Sequence, residues 1–235
     1  MRNILISGAS RGIGRAIAIE ALKNGHRISL GLRNPDVIKT TELDLKSTNH
    51  TKIHIHKYDS LKENSAERWV KSSVKEFGQI DTVIHCAGIF RRTKLNFDSD
   101  KFCELDELWK TNVLGPWLLT RAAWEHLEKS KKGRLIVLVS MSGKRAKGKL
   151  AGYVTSKFAL MGLCHTIRNE GWSKGIRVTA ICPSWVNTEM SKEVNSIERN
   201  DMTQPEDIAK ICSSLLDLPN SSIPFEIKLN CNLEY

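Results

Sequence analysis

A chain of 235 residues with 40% hydrophobic and 26% charged residues has an ordinary globular composition, which excludes a mainly disordered or fibrous protein. No apolar run is long enough for a signal peptide or a membrane span, so we expect a cytoplasmic protein with one domain over residues 1–235. The formal net charge is +10, and the stretch from Lys129 to Asn169 contains ten lysines and arginines but no acidic residue.

Seven short apolar segments predict β-strands that alternate with helices along the chain. In order they are Ile4–Ser7, Arg27–Leu32, Lys52–His56, Thr82–Cys86, Arg134–Val139, Arg177–Cys182 and Phe225–Leu229. The fifth is apolar from Leu135 to Val139, as expected for a strand that is covered on both faces. This alternation predicts an α/β fold with a doubly wound, seven-stranded parallel sheet and helices on both faces.

The third predicted strand differs from the others because polar and apolar residues alternate in it. This pattern predicts one face exposed to water, with His54 and His56 on it. Two histidines at this spacing are more often solvated than bound to a metal. The six cysteines also lack metal-ligand spacing, so we expect neither a metal site nor a disulfide.

Helical patterns fill the gaps between the strands. The first helix begins inside a glycine-rich loop and ends at Asn24-Gly25, where glycine favours a left-handed C-cap. The others are predicted over Leu61–Phe77, Asn112–Lys129, Gly152–Gly171 and Pro205–Leu216.

The glycine-rich loop, Ser7 to Gly14, follows the first predicted strand directly and opens the first helix. Such a turn lets the backbone approach a pyrophosphate, and the N-terminus of the helix favours its negative charge. A glycine-rich loop alone is weak evidence, but its position after the first strand indicates dinucleotide binding.

Further motifs follow the loop in a fixed order along nearly the whole chain. They are Ala87-Gly88 after His85-Cys86, Asn112 between Thr111 and Val113, Ser140 three residues before Gly143, Tyr153 and Lys157 as Y-x-x-x-K, and Pro183 to Thr188 as P-S-x-x-x-T. With the loop spacing G-x-x-x-G-x-G, this order resembles the short-chain dehydrogenase/reductase family. The resemblance implies a single-domain Rossmann fold and an oxidoreductase that interconverts a small ketone or aldehyde with an alcohol.

Reduction of a carbonyl explains why these residue types occur together. Hydride delivered to the carbon leaves negative charge developing on oxygen, which requires a proton donor and a hydrogen-bond partner. One helical turn places Lys157 on the same face as Tyr153, where a cation is expected to favour the phenolate. The resemblance implies that Tyr153 is the acid/base, that Lys157 also holds the nicotinamide ribose, that Ser140 orients the substrate oxygen, and that Asn112 supports a water relay. Ser142 is a rival to Ser140.

The end of the second strand predicts the type of nicotinamide cofactor. An NAD enzyme of this architecture carries an acidic residue there, whereas this chain has Arg33 and no acid before Asp36. Arg33 and Arg11 can pair with a 2′-phosphate, so we expect NADP(H); the alternative is two solvated arginines. The resemblance assigns the adenine contact to Asp59 and further cofactor contacts to Gly8, Ser10, Gly12, Ile13, Gly14, Ala87, Gly88, Pro183, Val186 and Thr188.

The chain departs from the family pattern at two places. His85-Cys86 replaces two asparagines, of which the first tethers neighbouring strands, so His85 is expected to hydrogen-bond in its place. Ser184 replaces the usual glycine after Pro183. The polar residues 189–202 correspond to the substrate lid of the family. Relatives are mostly dimers or tetramers packed through the helices of Asn112 and Tyr153, so a homodimer or homotetramer is expected.

Several other functions are compatible with parts of the sequence. The same residues fit a 3-oxoacyl-carrier-protein reductase, or an NADPH-sensing regulatory protein without chemistry, although such proteins usually lose the tyrosine or lysine. A serine hydrolase is disfavoured because Ser140 has no G-x-S-x-G elbow. Specific nucleic-acid binding is disfavoured because the basic block contains a strand and the predicted catalytic segment rather than a tail.

The basic loop between Ser140 and Tyr153 supports a hypothesis about the substrate. Its cations are Lys144, Arg145, Lys147 and Lys149, with no acid nearby in the sequence. In the family this loop runs beside the pocket mouth, where positive potential can steer an anion inward. The hypothesis is an acidic substrate; the alternative is a plain solvated loop.

Overall fold

Seven parallel strands form one sheet in the computed structural model, which describes residues 1–44 and 50–232. They are β1 (Asn3–Ser7), β2 (Arg27–Leu32), β3 (Ile53–Lys57), β4 (Thr82–His85), β5 (Arg134–Leu138), β6 (Arg177–Pro183) and β7 (Glu226–Leu229). Their order in the sheet is β3-β2-β1-β4-β5-β6-β7, and every neighbouring pair is parallel. The predicted α/β fold is confirmed, and no predicted strand end differs by more than one residue.

Helices cover both faces of the sheet. They are α1 (Gly12–Lys23), α2 (Ser65–Phe77), α3 (Phe102–Trp109), α4 (Gly115–Lys129), α5 (Ala151–Gly171) and α6 (Pro205–Asp217). Successive strand residues point to opposite faces, so Ile4 packs with α1 and α6 while Leu5 packs with α2, α4 and α5. Among the described residues, no helix has the length and apolar character needed to cross a lipid bilayer.

Two predicted helix starts are wrong. Helix α2 begins at Ser65 rather than Leu61, because a turn over residues 59–65 precedes it. The helix predicted from Asn112 is the second half of a longer run that also contains α3 and a π-turn over Lys110–Leu114. Pro116 has no N–H to donate to the carbonyl four residues before it, which is that of Asn112, and this loss explains the widened turn.

The polar face of β3, which the sequence predicted to be exposed to water, is only partly exposed. His54 is half-buried, with its Nδ1 2.8 Å from Ser29 Oγ and its Nε2 3.0 Å from Ser72 Oγ of α2. Burial lowers the pKa of His54 and of His56. In the described part of the chain no three His, Cys, Asp or Glu residues cluster as a metal site, and all six cysteines are free.

Part of the basic excess stabilises the edge of the sheet where the strands begin. There Arg2, Arg134 and Arg177 each donate a hydrogen bond to a main-chain carbonyl in or just after α6. The acceptors are, in that order, the carbonyls of Leu216 (2.8 Å), Leu218 (2.9 Å) and Asn220 (3.1 Å). Positive charge at a helix C-terminus is favourable, so these arginines hold α6 and the connection to β7 against the sheet.

Gly31 of β2 lies directly beneath a buried tryptophan of α2. Trp69 is fully buried, and its Nε1 donates to Ser29 Oγ at 2.8 Å. A Cβ at Gly31 would lie 2.6 Å from Trp69 Cη2, so only glycine fits beneath the ring.

We predict that Gly31→Ala destabilises the protein by about 1–3 kcal/mol, because the rigid indole must shift within a packed core. Gly162→Ala in α5 is the control, since nothing lies within 4 Å of a Cβ there. In a helix this exchange is expected to stabilise by up to about 1 kcal/mol. Chemical denaturation measures both; equal effects of the two substitutions would contradict the prediction.

Candidate active site

A cavity of about 580 Å³ lies at the edge of the sheet where the strands end. Its walls come from the glycine loop and from the segments that follow β4, β5 and β6. Of the residues predicted from the sequence, it is lined by Arg11, Ile13, Gly88, Ser140, Tyr153, Lys157, Pro183, Val186 and Thr188. The sequence therefore identified residues from four separate segments that share one cavity.

The glycines of the loop allow the chain segments beside the cavity to approach closely. Gly8 has a φ of +73°, and a Cβ there would lie 2.6 Å from the main-chain nitrogen of Ala87. A Cβ at Gly14 would lie 2.4 Å from the carbonyl oxygen of Gly8. A Cβ at Gly12, whose φ is +56°, would lie 3.2 Å from Thr188 Cγ2. The loop thus packs on the predicted Ala87-Gly88 and Pro183–Thr188 segments.

Lys157 is buried at the floor of the cavity. Its Nζ donates to the carbonyl oxygen of Leu138 at 3.0 Å and lies 5.7 Å from the centre of the Tyr153 ring. Burial lowers the pKa of Lys157 to about 8. A Cβ at Gly88 would lie 3.7 Å from this Nζ and 3.4 Å from Asn112 Oδ1, so Gly88 is a close neighbour of both polar groups.

Tyr153 is buried beside Lys157, and burial raises its pKa to about 12, against the opposing effect of a hydrogen bond with Ser140. Loss of solvation thus has the larger effect on this phenol, and the expectation that Lys157 favours the phenolate stays a prediction. A phenol with this pKa keeps its proton near neutral pH, so Tyr153 is in the protonated form that a proton donor requires.

Ser140, rather than its rival Ser142, is the serine whose side chain acts on the pKa of Tyr153, lowering it against the effect of burial. The Ser140 hydroxyl also accepts a hydrogen bond from the Ser142 main-chain nitrogen at 3.0 Å. Its backbone has φ 134° and ψ 155°, a conformation that is nearly restricted to glycine. The turn after β5 thus holds this serine in a strained conformation on the wall of the cavity that Tyr153 also lines.

Asn112 connects the segment after β4 to α5. It is fully buried in the π-turn, and its Oδ1 accepts from the Ile89 nitrogen at 2.9 Å. Its Nδ2 donates to the Ile89 carbonyl at 3.0 Å and to Ser156 Oγ at 3.1 Å. The amide side chain therefore fixes the backbone directly after Gly88, beside Lys157.

From its position in the motif, His85 was expected to hydrogen-bond to a neighbouring strand, but it does not. Its Nε2 lies 3.0 Å from Thr120 Oγ1, so it connects β4 to α4. Burial lowers the pKa of His85 to about 3, so the ring is neutral. The hydrogen-bonding role is retained, but its partner is a helix.

The remaining predicted cofactor residues lie outside the cavity lining. Arg33 is exposed just after β2, and Asp59 follows β3, where its Oδ1 accepts from the Leu61 nitrogen at 3.1 Å. Since β2 and β3 are paired up to Leu32 and Lys57, these two side chains belong to adjacent strand ends. Gly8 and Ser10 lie in the loop after β1, Gly12 and Gly14 in the first turn of α1, and Ala87 in the segment after β4.

The predicted lid is folded against the cavity. Ser191 Oγ donates to the Val186 carbonyl at 2.6 Å, and a bridge between Val186 and Thr203 joins the two ends of the segment. Met190, Lys192, Glu193 and Val194 line the cavity. Its role as a moving lid stays a prediction.

Sequence reasoning missed an aromatic and basic group on the cavity wall. Phe90 packs edge-on against the Tyr153 ring, with the ring centres 4.9 Å apart. Arg92 and Trp185 also line the cavity. Their positions, shortly after Gly88 and Pro183 in the segments that follow β4 and β6, were a sequence signal that these residues could line the cavity. No motif marks them, however.

The basic loop is only partly directed at the cavity. Arg145 and Lys147 line it, and Lys149 does not. Lys144 donates to Glu226 Oε2 of β7 at 2.8 Å, so the expectation that no acid lies nearby is wrong for this residue. The sequence could not reveal this pair because its members are 82 residues apart.

Comparisons with known proteins identify the family to which this fold and sequence are similar. A family profile described as short chain dehydrogenase matches residues 2–199. Agropine synthesis reductase of Rhizobium rhizogenes is 35% identical over 231 residues, covering 98% of this chain and 53% of that protein. Diacetyl reductase, (S)-acetoin forming, of Staphylococcus epidermidis is 27% identical over 229 residues, covering 96% and 88%. The chain spans about half the length of the agropine synthesis reductases that it matches.

Solved structures with the same fold include proteins with bound cofactor. An alcohol dehydrogenase from the archaeon Thermococcus sibiricus, complexed with 5-hydroxy-NADP, superposes with a TM-score of 0.88 at 28% identity over 100% of both chains. ElxO with NADP bound superposes with a TM-score of 0.85 at 26% identity, covering 98% of this chain and 97% of that one.

The strain at Ser140 leads to a prediction about stability. Ser140→Gly and Ser140→Ala both remove the hydroxyl, but only glycine adopts this backbone conformation freely. We expect the glycine variant to be more stable than the alanine variant by about 1 kcal/mol, measured by denaturant unfolding. The same pair of substitutions at Ser142, whose φ is not positive, is the control, and there alanine should be the more stable. The same order at both positions would contradict the prediction.

Proposed function

The chain belongs to the short-chain dehydrogenase family, and we propose that it is an NADP(H)-dependent oxidoreductase that interconverts a ketone or aldehyde with the corresponding alcohol. The observation that carries the proposal is that Ser140, Tyr153 and Lys157 line one cavity, with the buried Lys157 ammonium 5.7 Å from the centre of the Tyr153 ring. A catalytically silent NADPH sensor has no need to keep these three groups together.

The proposed chemistry uses two hydroxyl groups and one ammonium. Ser140 and Tyr153 donate hydrogen bonds to the carbonyl oxygen of the substrate, which polarises the carbon for attack. When hydride adds to that carbon, the phenol proton passes to the oxygen and the alcohol forms. The Lys157 ammonium, 5.7 Å from the Tyr153 ring, then stabilises the phenolate that remains until it regains a proton. Oxidation follows the same steps in reverse.

The residues present fit a bound NADP(H), which supplies or accepts the hydride. A Cβ at Gly12 would enter the narrow gap to Thr188, and the loop lies at the N-terminus of α1, where a pyrophosphate is favoured. Arg11 and Arg33 would hold the 2′-phosphate, and Asp59 the adenine. Lys157 would hold the nicotinamide ribose beside Gly88. The NADP complexes of the similar structures support the same cofactor here.

The predicted oligomer also belongs to this proposal. Trp117 of α4 and Phe158 of α5 expose 53% and 44% of their surface. Apolar side chains of this size on the two helices expected to pair favour a homodimer or homotetramer that covers them.

Tyr153→Phe tests the proposed acid/base. It removes the proton donor but keeps the ring, so we expect kcat/KM for a reduced carbonyl to fall by about 1,000-fold, with NADPH affinity within about twofold of the wild type. Tyr58→Phe is the control, because this buried tyrosine contacts the Gly115 carbonyl away from the cavity. A carbonyl compound that the wild-type enzyme reduces is first identified by assaying a panel of ketones and aldehydes with NADPH. Wild-type turnover in Tyr153→Phe would refute the mechanism.

Arg33→Ala tests the cofactor assignment. We expect the wild-type enzyme to favour NADPH over NADH by at least about tenfold in kcat/KM, equivalent to about 1.4 kcal/mol. Loss of Arg33 should shrink this preference by weakening NADPH alone. Lys23→Ala, at the far end of α1, removes one exposed charge as a control and should leave the preference unchanged. Equal use of both cofactors by the wild type would refute the assignment.

A further inference from the structure

The side chains that line the cavity are unevenly charged. Besides Lys157, the positive residues are Arg11, Arg91, Arg92, Arg145, Lys147 and Lys192, whereas Glu189 and Glu193 are the acidic residues of the lining. Both acids lie within the segment 189–202. Among the described residues, the part of the cavity lining outside that segment therefore contains cations but no carboxylate. A lining with this charge attracts anions.

Some of these cations have partners or a role already. Arg91 Nη2 donates to Glu107 Oε2 of α3 at 2.9 Å. Lys192 Nζ lies 3.1 Å from Glu189 Oε1. Arg11 belongs to the glycine loop, where the proposed function assigns it to the cofactor phosphate. These three do not explain why further cations border the catalytic end of the cavity.

Arg92 lies at the catalytic end. Its guanidinium carbon is 5.7 Å from the centre of the Phe90 ring, and the Phe90 ring centre is 4.9 Å from that of Tyr153. Arg92 is therefore connected through one aromatic ring to the proposed proton donor. Among the described residues it contacts this ring and pairs with no carboxylate. A guanidinium on an aromatic face keeps its N–H groups available for a planar anion.

A second cation, from the segment after β5, lies over an aromatic ring from the segment after β6. Lys147 Nζ lies 5.7 Å from the centre of the Trp185 ring, and both residues line the cavity. The aromatic contacts restrict where the long side chains of Arg92 and Lys147 can go. Positive charge is thus held beside the cavity from two directions.

We propose that the substrate is a carbonyl compound with an anionic group, and that Arg92 is the specificity-determining residue that binds this group. The inference rests on the proposed reductase function, because the carbonyl must lie at Tyr153 while the anion reaches Arg92. A carboxylate and a phosphate monoester share the required chemistry, and both pair well with a guanidinium. The anion site is thereby assigned to the segment after β4 rather than to Lys144 and Lys149.

Binding of small uncharged and charged probes to the enzyme–NADPH complex tests the proposal without relying on turnover. Pentanoate and pentanamide have similar shape but differ in charge, and propyl phosphate represents a phosphate monoester. By isothermal titration calorimetry, we expect pentanoate to bind about tenfold more tightly than pentanamide, as a hydrogen bond to a charged group contributes this much. The difference should shrink as ionic strength rises. Tighter binding of propyl phosphate than of pentanoate would identify a phosphorylated substrate and support the proposal equally.

Arg92→Met should abolish the preference for the anion, and Arg92→Lys should retain part of it. Lys94→Met is the matched control: it removes one exposed charge two residues away that does not line the cavity, and the preference should persist. Equal binding of pentanoate and pentanamide, or equal effects of the Arg92→Met and Lys94→Met substitutions, would overturn the proposal. Neither result affects the proposed function, which depends on the loss of carbonyl reduction in Tyr153→Phe.

Discussion

Burial of the Lys157 ammonium at the end of β5 is the constraint on which the candidate active site depends. A buried ammonium is stable only when its donors find acceptors, and the carbonyl of Leu138 is one of them. The ammonium also lies beside Gly88 of the segment after β4, where a Cβ would be 3.7 Å from its Nζ. Because Tyr153 lies one turn before Lys157 on the same helix, the position of the lysine also fixes that of the tyrosine.

The site requires unfavourable backbone conformations at two places. Ser140 has a conformation that disfavours side chains, and the π-turn around Asn112 interrupts a helix of good geometry. Both features lie where polar side chains must meet from different strands. The surrounding sheet is covered by apolar helices on both faces and can tolerate this local loss of stability.

The strong positive charge of the chain has several separate causes rather than one. Arg2, Arg134 and Arg177 hold the carbonyls at the end of α6, at the edge of the sheet opposite the cavity. Lys144 is paired with Glu226 of β7. The cations that line the cavity are therefore only one part of the positive charge, and among them Arg92 is connected to the proposed catalytic tyrosine through the Phe90 ring. The net charge of such a protein therefore says little about its function until the position of each charged side chain is known.

The sequence by itself determined the strands, the glycine loop and those cavity residues that belong to a motif. Apolar periodicity and the backbone needs of glycine are local properties, so they can be read along the chain. The tertiary structure alone decided that Asn112 lies inside a helix, that His54 is covered by α2, that His85 bonds to α4 and that Arg92 reaches the cavity. These outcomes depend on contacts between residues that are far apart in sequence. No local pattern specifies which distant side chain will pack against a polar group and bury it.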